Sequence, residues 1–111
     1  MKWIPLTSNE QLDLIKEKST HTPQVIFKHS TRCSISSMAL NRLEREVAPE
    51  NADFYFLDLI QHRQLSNAVA EVFEVHHESP QILLIKNTEC VYDESHQGIS
   101  MQDLSEQLSA N

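Results

Sequence analysis

The segment VIFKHSTRCSIS, residues 25–36, joins two different patterns of hydrophobic spacing. Residues 25–27 form a short apolar run typical of a buried strand, which Lys28 and His29 extend. After Cys33 the apolar residues recur at helical spacing, with a proline just beyond them. This helical stripe consists of Ile35, Met38, Ala39, Leu43 and Val47. The sequence therefore predicts a strand that passes into a helix at Cys33.

The same alternation of strand and helix patterns continues on both sides of this segment. Further strands are predicted at residues 3–6, 54–59, 82–85 and 90–92, and further helices around Leu12 and Ile15, Leu65 and Val69, and Leu104 and Leu108. Thr7 and Ser8 offer caps for the first helix, with Glu10 and Gln11 at capping-box spacing, and Ser100 with Asp103 forms a similar pair before the last helix. The predicted order is β-α-β-α-β-α-β-β-α.

Two successive strand–helix–strand units require parallel crossovers, and the final hairpin adds an antiparallel strand. The sequence thus predicts a single α/β domain over residues 1–111, with a mixed central sheet, helices on both faces, and a C-terminal hairpin and helix. The thioredoxin-like fold has this arrangement, and another αβ sandwich with a terminal hairpin would fit the pattern almost as well.

Composition excludes several classes of function. A net charge of −7 argues against a nucleic-acid partner, because phosphate contacts require an excess of Lys and Arg. No apolar run approaches the length of a membrane span, so we expect no membrane partner. The first residues lack the pattern of a secretory signal, so we expect a cytoplasmic location.

The position of Cys33 at the start of a helix favours thiolate over thiol and makes it a candidate nucleophile. Arg32 adds positive charge, and Ser36, one helical turn on, can donate a hydrogen bond to the sulfur. Thr31 offers a further donor in the approach loop. His29 either tunes Cys33 or points away from it. Position alone is a weak signal, so an inert structural cysteine stays open.

A second working thiol is missing. Dithiol oxidoreductases have a resolving cysteine three residues after the first, and here that position is Ser36. The other cysteine, Cys90, is expected near the far end of a strand, about 20 Å away at about 3.3 Å per residue. A disulfide needs Cα atoms within about 7 Å. Cys33 should therefore depend on an outside thiol for release of a mixed disulfide.

Two further predictions concern Pro80 and metals. Pro80 precedes a buried strand and is a candidate for a cis peptide bond, although a trans strand start is about equally compatible with the sequence. None of the six histidines forms a pair with helical ligand spacing beside another ligand. Two cysteines cannot form a four-cysteine site, so no metal site is predicted.

The motif FKHST at residues 27–31, followed by Cys33 and Ser36, resembles the signature of the monothiol bacilliredoxin family. Three more motifs of that family occur in order along the chain. They are Leu65-Ser66-Asn67 with Ala70-Glu71, His77-Glu78-Ser79-Pro80-Gln81, and Ser95-His96. The resemblance covers nearly the whole chain.

The resemblance implies a thioredoxin-like fold and a cytosolic monothiol disulfide oxidoreductase that removes bacillithiol, a low-molecular-weight thiol, from proteins. Cys33 would be the attacking thiolate, and Pro80 the cis-proline whose neighbour Ser79 pairs through its backbone with the substrate. Arg63 either pairs with a carboxylate of bacillithiol or is a solvated charge at a helix start. The implied partners are bacillithiolated proteins and a small thiol. Bacillithiol is the implied co-substrate, with no tightly bound cofactor.

The sequence departs from the family pattern at three places, one of which is Gln97-Gly98 in place of a bulkier stretch after Ser95-His96. Ser34 replaces a proline after the cysteine, which removes a preset first helical residue but adds a donor. Asn87-Thr88 stands where Asn-Gly is usual, so we expect the hairpin turn to be looser or of another type.

Two alternative functions remain compatible with the sequence. One is a carrier of a 2Fe–2S cluster held by Cys33 of two chains, which a visible charge-transfer band would reveal. The sequence favours it less, because cluster-binding monothiol glutaredoxins have a Gly in their motif where this chain has Ser and Ile. The other is a thioredoxin-fold adaptor with an inert Cys33, which the pH dependence of thiol alkylation would reveal.

Overall fold

The computed structural model describes residues 1–110. Its strands are β1 (Ile4–Pro5), β2 (Gln24–His29), β3 (Asp53–Asp58), β4 (Gln81–Lys86) and β5 (Glu89–Ser95). Its α-helices are α1 (Glu10–Lys18), α2 (Ser34–Glu44), α3 (Arg63–Val72) and α4 (Met101–Ser109), and a 3-10 turn spans His96–Gly98. The predicted order of elements is confirmed.

The strands form one sheet in the order β1-β3-β2-β4-β5. β1 and β2 both run parallel to β3, whereas β4 is antiparallel to β2, and β5 is antiparallel to β4. Lys28, near the end of β2, pairs with Gln81, at the start of β4. The carboxyl end of β2 and the amino end of β4 therefore lie at the same edge. The segment that contains Cys33 and the peptide bond before Pro80 both lie at this edge.

Helices cover both faces of the sheet, as predicted. α1 and α3 pack on one face through residues that include Leu12, Ile15, Leu65 and Val69. α2 and α4 pack on the other face through residues that include Ala39, Leu43, Leu104 and Leu108. β2 contributes alternate residues to the two cores, with Ile26 on the first face and Val25 and Phe27 on the second. No helix among residues 1–110 is long and apolar enough to cross a membrane.

The helix after Cys33 is shorter and less buried than its apolar spacing predicts. α2 ends at Glu44, and Val47, which the spacing placed in the helical stripe, is 91% exposed. Ile35 and Met38 lie within α2 but are 43% and 59% exposed. Of the predicted stripe, only Ala39 and Leu43 are buried against the sheet.

The cap predicted at Ser100 is present, whereas the caps predicted at Thr7 and Ser8 are not, because α1 has Asn9 as its N-cap and this residue makes no side-chain capping bond. The hydroxyl of Ser100 accepts a hydrogen bond from the backbone N–H of Asp103 at 3.1 Å. The side-chain oxygen of Gln11 accepts from the backbone N–H groups of Ser8 at 3.1 Å and Thr7 at 2.7 Å. Each of these bonds satisfies an amide near a helix start that would otherwise lack a partner.

The hairpin turn is tight, so the expectation of a looser or different turn is wrong. Lys86 pairs with Glu89, which leaves a two-residue loop. Asn87 and Thr88 have φ values of 51° and 70°, the left-handed arrangement of a type I′ turn. The backbone N–H groups of these two residues donate to the carbonyl and the hydroxyl of Ser19, at 2.9 and 2.8 Å. The C-terminal end of α1 thus holds the turn in this conformation.

Thr88→Gly should raise the free energy of unfolding by about 1 kcal/mol, because a β-branched residue is strained at positive φ and glycine is not. The backbone donor to Ser19 is retained in this variant. Urea unfolding of the two proteins measures the difference. Thr88→Ala, which keeps a Cβ, is the control and should give a smaller gain. Destabilisation by glycine would contradict the assignment of strain at Thr88.

Candidate active site

Cys33 is the N-cap residue of α2, as predicted. Its backbone is extended, with φ −112° and ψ 121°, and the residue is half-buried. Its N–H donates to the carbonyl of Ser30 at 3.2 Å, and its carbonyl accepts from the N–H of Ser37 at 3.1 Å. The first turn of α2 contains no acidic residue, so no carboxylate offsets its positive end. Cys33 therefore lies at the positive end of the α2 helix dipole.

The hydroxyl of Ser36 bonds to the approach loop and to His29, whereas the sequence led us to expect a bond to the sulfur. It accepts the backbone N–H of Ser30 at 2.9 Å and lies 2.7 Å from Nδ1 of His29. Ser36 is fully buried. In the part of the chain that the structure describes, no hydrogen bond to the thiol of Cys33 is present. Ser36 therefore ties the loop before Cys33 to the first turn of α2.

His29 is a buried neighbour of this loop. Its ring stacks on Phe27 with centroids 5.9 Å apart and lies 5.3 Å from the ring of Phe56. Burial lowers the pKa of His29, although Asp58 acts in the opposite direction. Burial thus favours the neutral form of His29, whose tautomer decides whether Nδ1 accepts from or donates to Ser36.

The other predicted supporting side chains do not converge on the sulfur. Thr31, Arg32 and Ser34 are exposed. None of the three has a side-chain hydrogen bond or ion pair within residues 1–110. Their roles stay predictions, and the exposed guanidinium of Arg32 is free to face solvent.

The peptide bond between Ser79 and Pro80 is cis, which confirms that prediction. Pro80 is buried, and its carbonyl accepts from the backbone N–H of His96 at 3.1 Å. The hydroxyl of Ser79 is buried and has no partner among the described residues. This leaves hydrogen-bonding capacity beside the cis-proline. Backbone pairing of Ser79 with a substrate stays a prediction.

Arg63 is the first residue of α3 and is exposed. It lines a cleft of about 440 Å³ between the starts of α1 and α3, and the lining of this cleft does not include Cys33. Its charge instead acts on His77. Burial lowers the pKa of His77, and the charges of Lys28 and Arg63 lower it further, against the opposing effect of Glu78.

A cluster around Lys28 was missed by the sequence analysis. The side chain of Lys28 is fully buried. Its Nζ donates to the carbonyl of Ser66 at 3.1 Å and lies 3.1 Å from Nδ1 of His77. The only available signal was a lysine directly after an apolar strand. Burial lowers the pKa of Lys28 to about 8.

Cys90 lies away from this edge. It pairs with Ile85, whereas Pro80 precedes the opposite end of β4. Its thiol donates to the carbonyl of Tyr92 at 3.3 Å, and burial raises its pKa to about 11. This thiol is protonated at neutral pH, as a structural cysteine should be.

Within residues 1–110 no group of three or more potential ligands is placed to hold a metal ion.

Comparisons with known proteins agree with this geometry. The family model described as monothiol bacilliredoxin BrxC matches residues 4–104. A solved structure of a proposed oxidoreductase with a thioredoxin fold is 31% identical, with a TM-score of 0.82, and the match covers 96% of this chain and 93% of that chain.

Two thioredoxins are similar in structure at lower identity. Thioredoxin from Malassezia sympodialis is 16% identical, with a TM-score of 0.73 and coverage of 97% of this chain and 89% of that one. Thioredoxin f from spinach chloroplast is 16% identical, with a TM-score of 0.70 and coverage of 96% and 90%. At this level of identity, both show the fold alone.

Proposed function

This chain belongs to the monothiol bacilliredoxin family, and we propose that it removes bacillithiol from bacillithiolated proteins through a mixed disulfide at Cys33. The family and the thioredoxin fold make it a thiol redox protein. The observation that carries the finer proposal is the setting of Cys33. It is half-buried at the uncompensated N-terminus of α2, and a bonded serine, Ser36, occupies the position of a resolving cysteine.

The reaction has two exchange steps. The thiolate of Cys33 attacks the bacillithiol sulfur of a protein–bacillithiol disulfide. That bond breaks, a Cys33–bacillithiol disulfide forms, and the client thiolate leaves and takes up a proton from water. A second small thiol, as its thiolate, then attacks the bacillithiol sulfur. This step releases the Cys33 thiolate and a small-molecule disulfide, and electrons balance in both steps.

The second step needs a thiol from outside the chain. Cys90 pairs with Ile85, remote from the edge that contains the cis-proline, and its raised pKa leaves it protonated at neutral pH. The proposal therefore includes bacillithiol as co-substrate, bacillithiolated proteins as partners and the cytoplasm, where small thiols are kept reduced, as the location.

Incubation of the reduced protein with a bacillithiolated client should add one bacillithiol to each chain. Intact mass measures the adduct, and peptide mapping assigns it to Cys33. Cys33→Ala should abolish the adduct, because no other described thiol is set to attack.

Cys90→Ala is the matched control and should form the adduct at the rate of the unmodified protein. An adduct of equal yield on Cys33→Ala, or none on the unmodified protein, would exclude the proposed reaction.

A further inference from the structure

Lys28 is a buried cation without a carboxylate partner in the described chain. Its side chain is fully buried, and its two hydrogen-bond partners, Ser66 and His77, are a carbonyl and an imidazole. An ammonium group has three donors, so one N–H is left over. Buried charges in proteins are normally paired with an opposite charge. The chemistry of this remaining donor therefore suits an anion.

A second buried group beside Lys28 also lacks a partner. Gln81 lies directly opposite Lys28 in the antiparallel pair of β2 and β4, so their side chains share the α1/α3 face. The amide nitrogen of Gln81 donates to the carbonyl of His76 at 2.9 Å. Its amide oxygen is buried and has no partner within residues 1–110. The buried cluster around Lys28 therefore has an unused donor and an unused acceptor among the described residues.

Further positive charge acts on the residues beside Lys28. His77 is exposed, so it can leave Nζ of Lys28 without unpacking the core. Arg63 lies one helical turn before Ser66 on α3, and its charge acts on His77. The positive charges of Lys28 and Arg63 therefore both act on His77, in a chain whose net charge is −7. Negatively charged Glu78 also acts on His77 and lies on the solvent side, 3.6 Å from His96.

The cluster around Lys28 lies at the same edge of the sheet as the segment that contains Cys33. Lys28 is the penultimate residue of β2, and the chain reaches Cys33 just after that strand. Gln81 directly follows the cis-proline. A small thiol joined to Cys33 would lie at this same edge of the sheet.

We infer that Lys28 and Arg63 form a carboxylate-binding subsite for the small thiol and that the incoming carboxylate displaces His77 from Lys28. The inference rests on the proposed function. Its chemistry is charge-assisted hydrogen bonding, in which the free N–H of Lys28 and the fork of Arg63 donate to a carboxylate. A small thiol or disulfide without a carboxylate would gain nothing from the subsite.

The test compares two small disulfides as substrates of Cys33. Bacillithiol disulfide bears carboxylates, and 2-hydroxyethyl disulfide is neutral. With the first, Lys28→Met and Arg63→Gln should each lower the rate of adduct formation about tenfold, the loss of one charge-assisted contact. With the second, both variants should stay within about twofold of the unmodified protein. Arg45→Gln, which removes the same charge at the far end of α2, should change neither rate.

A third variant should raise the rate of adduct formation with bacillithiol disulfide instead of lowering it. His77→Ala opens access to Nζ of Lys28 and should raise the rate with bacillithiol disulfide while leaving the neutral disulfide unaffected. Equal losses with both disulfides in Lys28→Met and Arg63→Gln, or no selective loss in either, would overturn the subsite. Failure of the unmodified protein to react with bacillithiol disulfide, while it reacts with the neutral one, would instead count against the proposed function.

Discussion

Lys28→Met is expected to make the protein more stable at pH 7, by about 2 kcal/mol in the free energy of unfolding. Lys28 is a fully buried ammonium with no carboxylate partner among residues 1–110, and burial lowers its pKa from 10.5 to about 8. Methionine has a similar shape and needs no partner in an apolar site. A lysine retained only for structure should behave in the opposite way, because its removal would then destabilise the fold.

The gain should shrink as the pH rises. At pH 7 Lys28 is protonated in both the folded and the unfolded chain, so the full cost of burying the charge is present. Between pH 8 and 10.5 the folded protein loses this proton while the unfolded chain still holds it, so stability rises with pH. The difference between the unmodified protein and Lys28→Met should therefore fall by about 2 kcal/mol from pH 7 to pH 10.

Urea unfolding at several pH values measures this difference. Tyr55, Tyr92 and Cys90 also have raised pKa values, but they are common to both proteins and cancel. Lys18→Met, at an exposed position of α1, is the control and should show no such trend. A pH-independent difference would mean that the Lys28 ammonium is not desolvated in the folded protein.

Ser36→Ala should cost about 2 kcal/mol of stability, because it leaves the buried N–H of Ser30 and Nδ1 of His29 without their partner. Cys33 should react with iodoacetamide about fivefold more slowly at pH 7, because its loop is no longer fastened to α2. Unfolding curves and alkylation rates followed by intact mass measure the two effects.

Ser37→Ala provides the matched control for Ser36→Ala. Ser37 is the next residue along α2 but is exposed, so its stability should change by less than about 0.5 kcal/mol. If both variants behaved alike, the hydrogen bonds of Ser36 would contribute nothing particular to the Cys33 loop.

The position of Cys33 could be predicted because the hydrophobic period changes at that residue. The cis bond at Pro80 was only a candidate, since the sequence before a buried strand fits either isomer. The partners of Ser36 could not be predicted, because its hydroxyl can turn toward the sulfur or toward the loop. Only the packing of His29 beneath α2 decides between these directions.

The burial of Lys28 could not be predicted from the local sequence either. A lysine at the end of an apolar run fits an exposed strand end as well as a buried one. Its burial depends on contacts with Ser66 and His77, which are 38 and 49 residues away in the sequence. Val47 is the converse case, because its spacing continues the helical stripe while the chain leaves the helix at Glu44. Local hydrophobic periodicity does not determine where a helix ends or which of its residues contact the sheet.

Neither Ser36, which is a hydrogen-bonded serine, nor Cys90, whose thiol is protonated, can resolve a mixed disulfide at Cys33. Each chain can therefore accept one small thiol and stays in the mixed-disulfide form until an outside thiol reduces it. With excess client, product should appear first as a burst of one equivalent per chain, and then at a steady rate proportional to the concentration of free thiol. The steady-state rate of turnover would thus depend on the concentration of reduced small thiol in the cell.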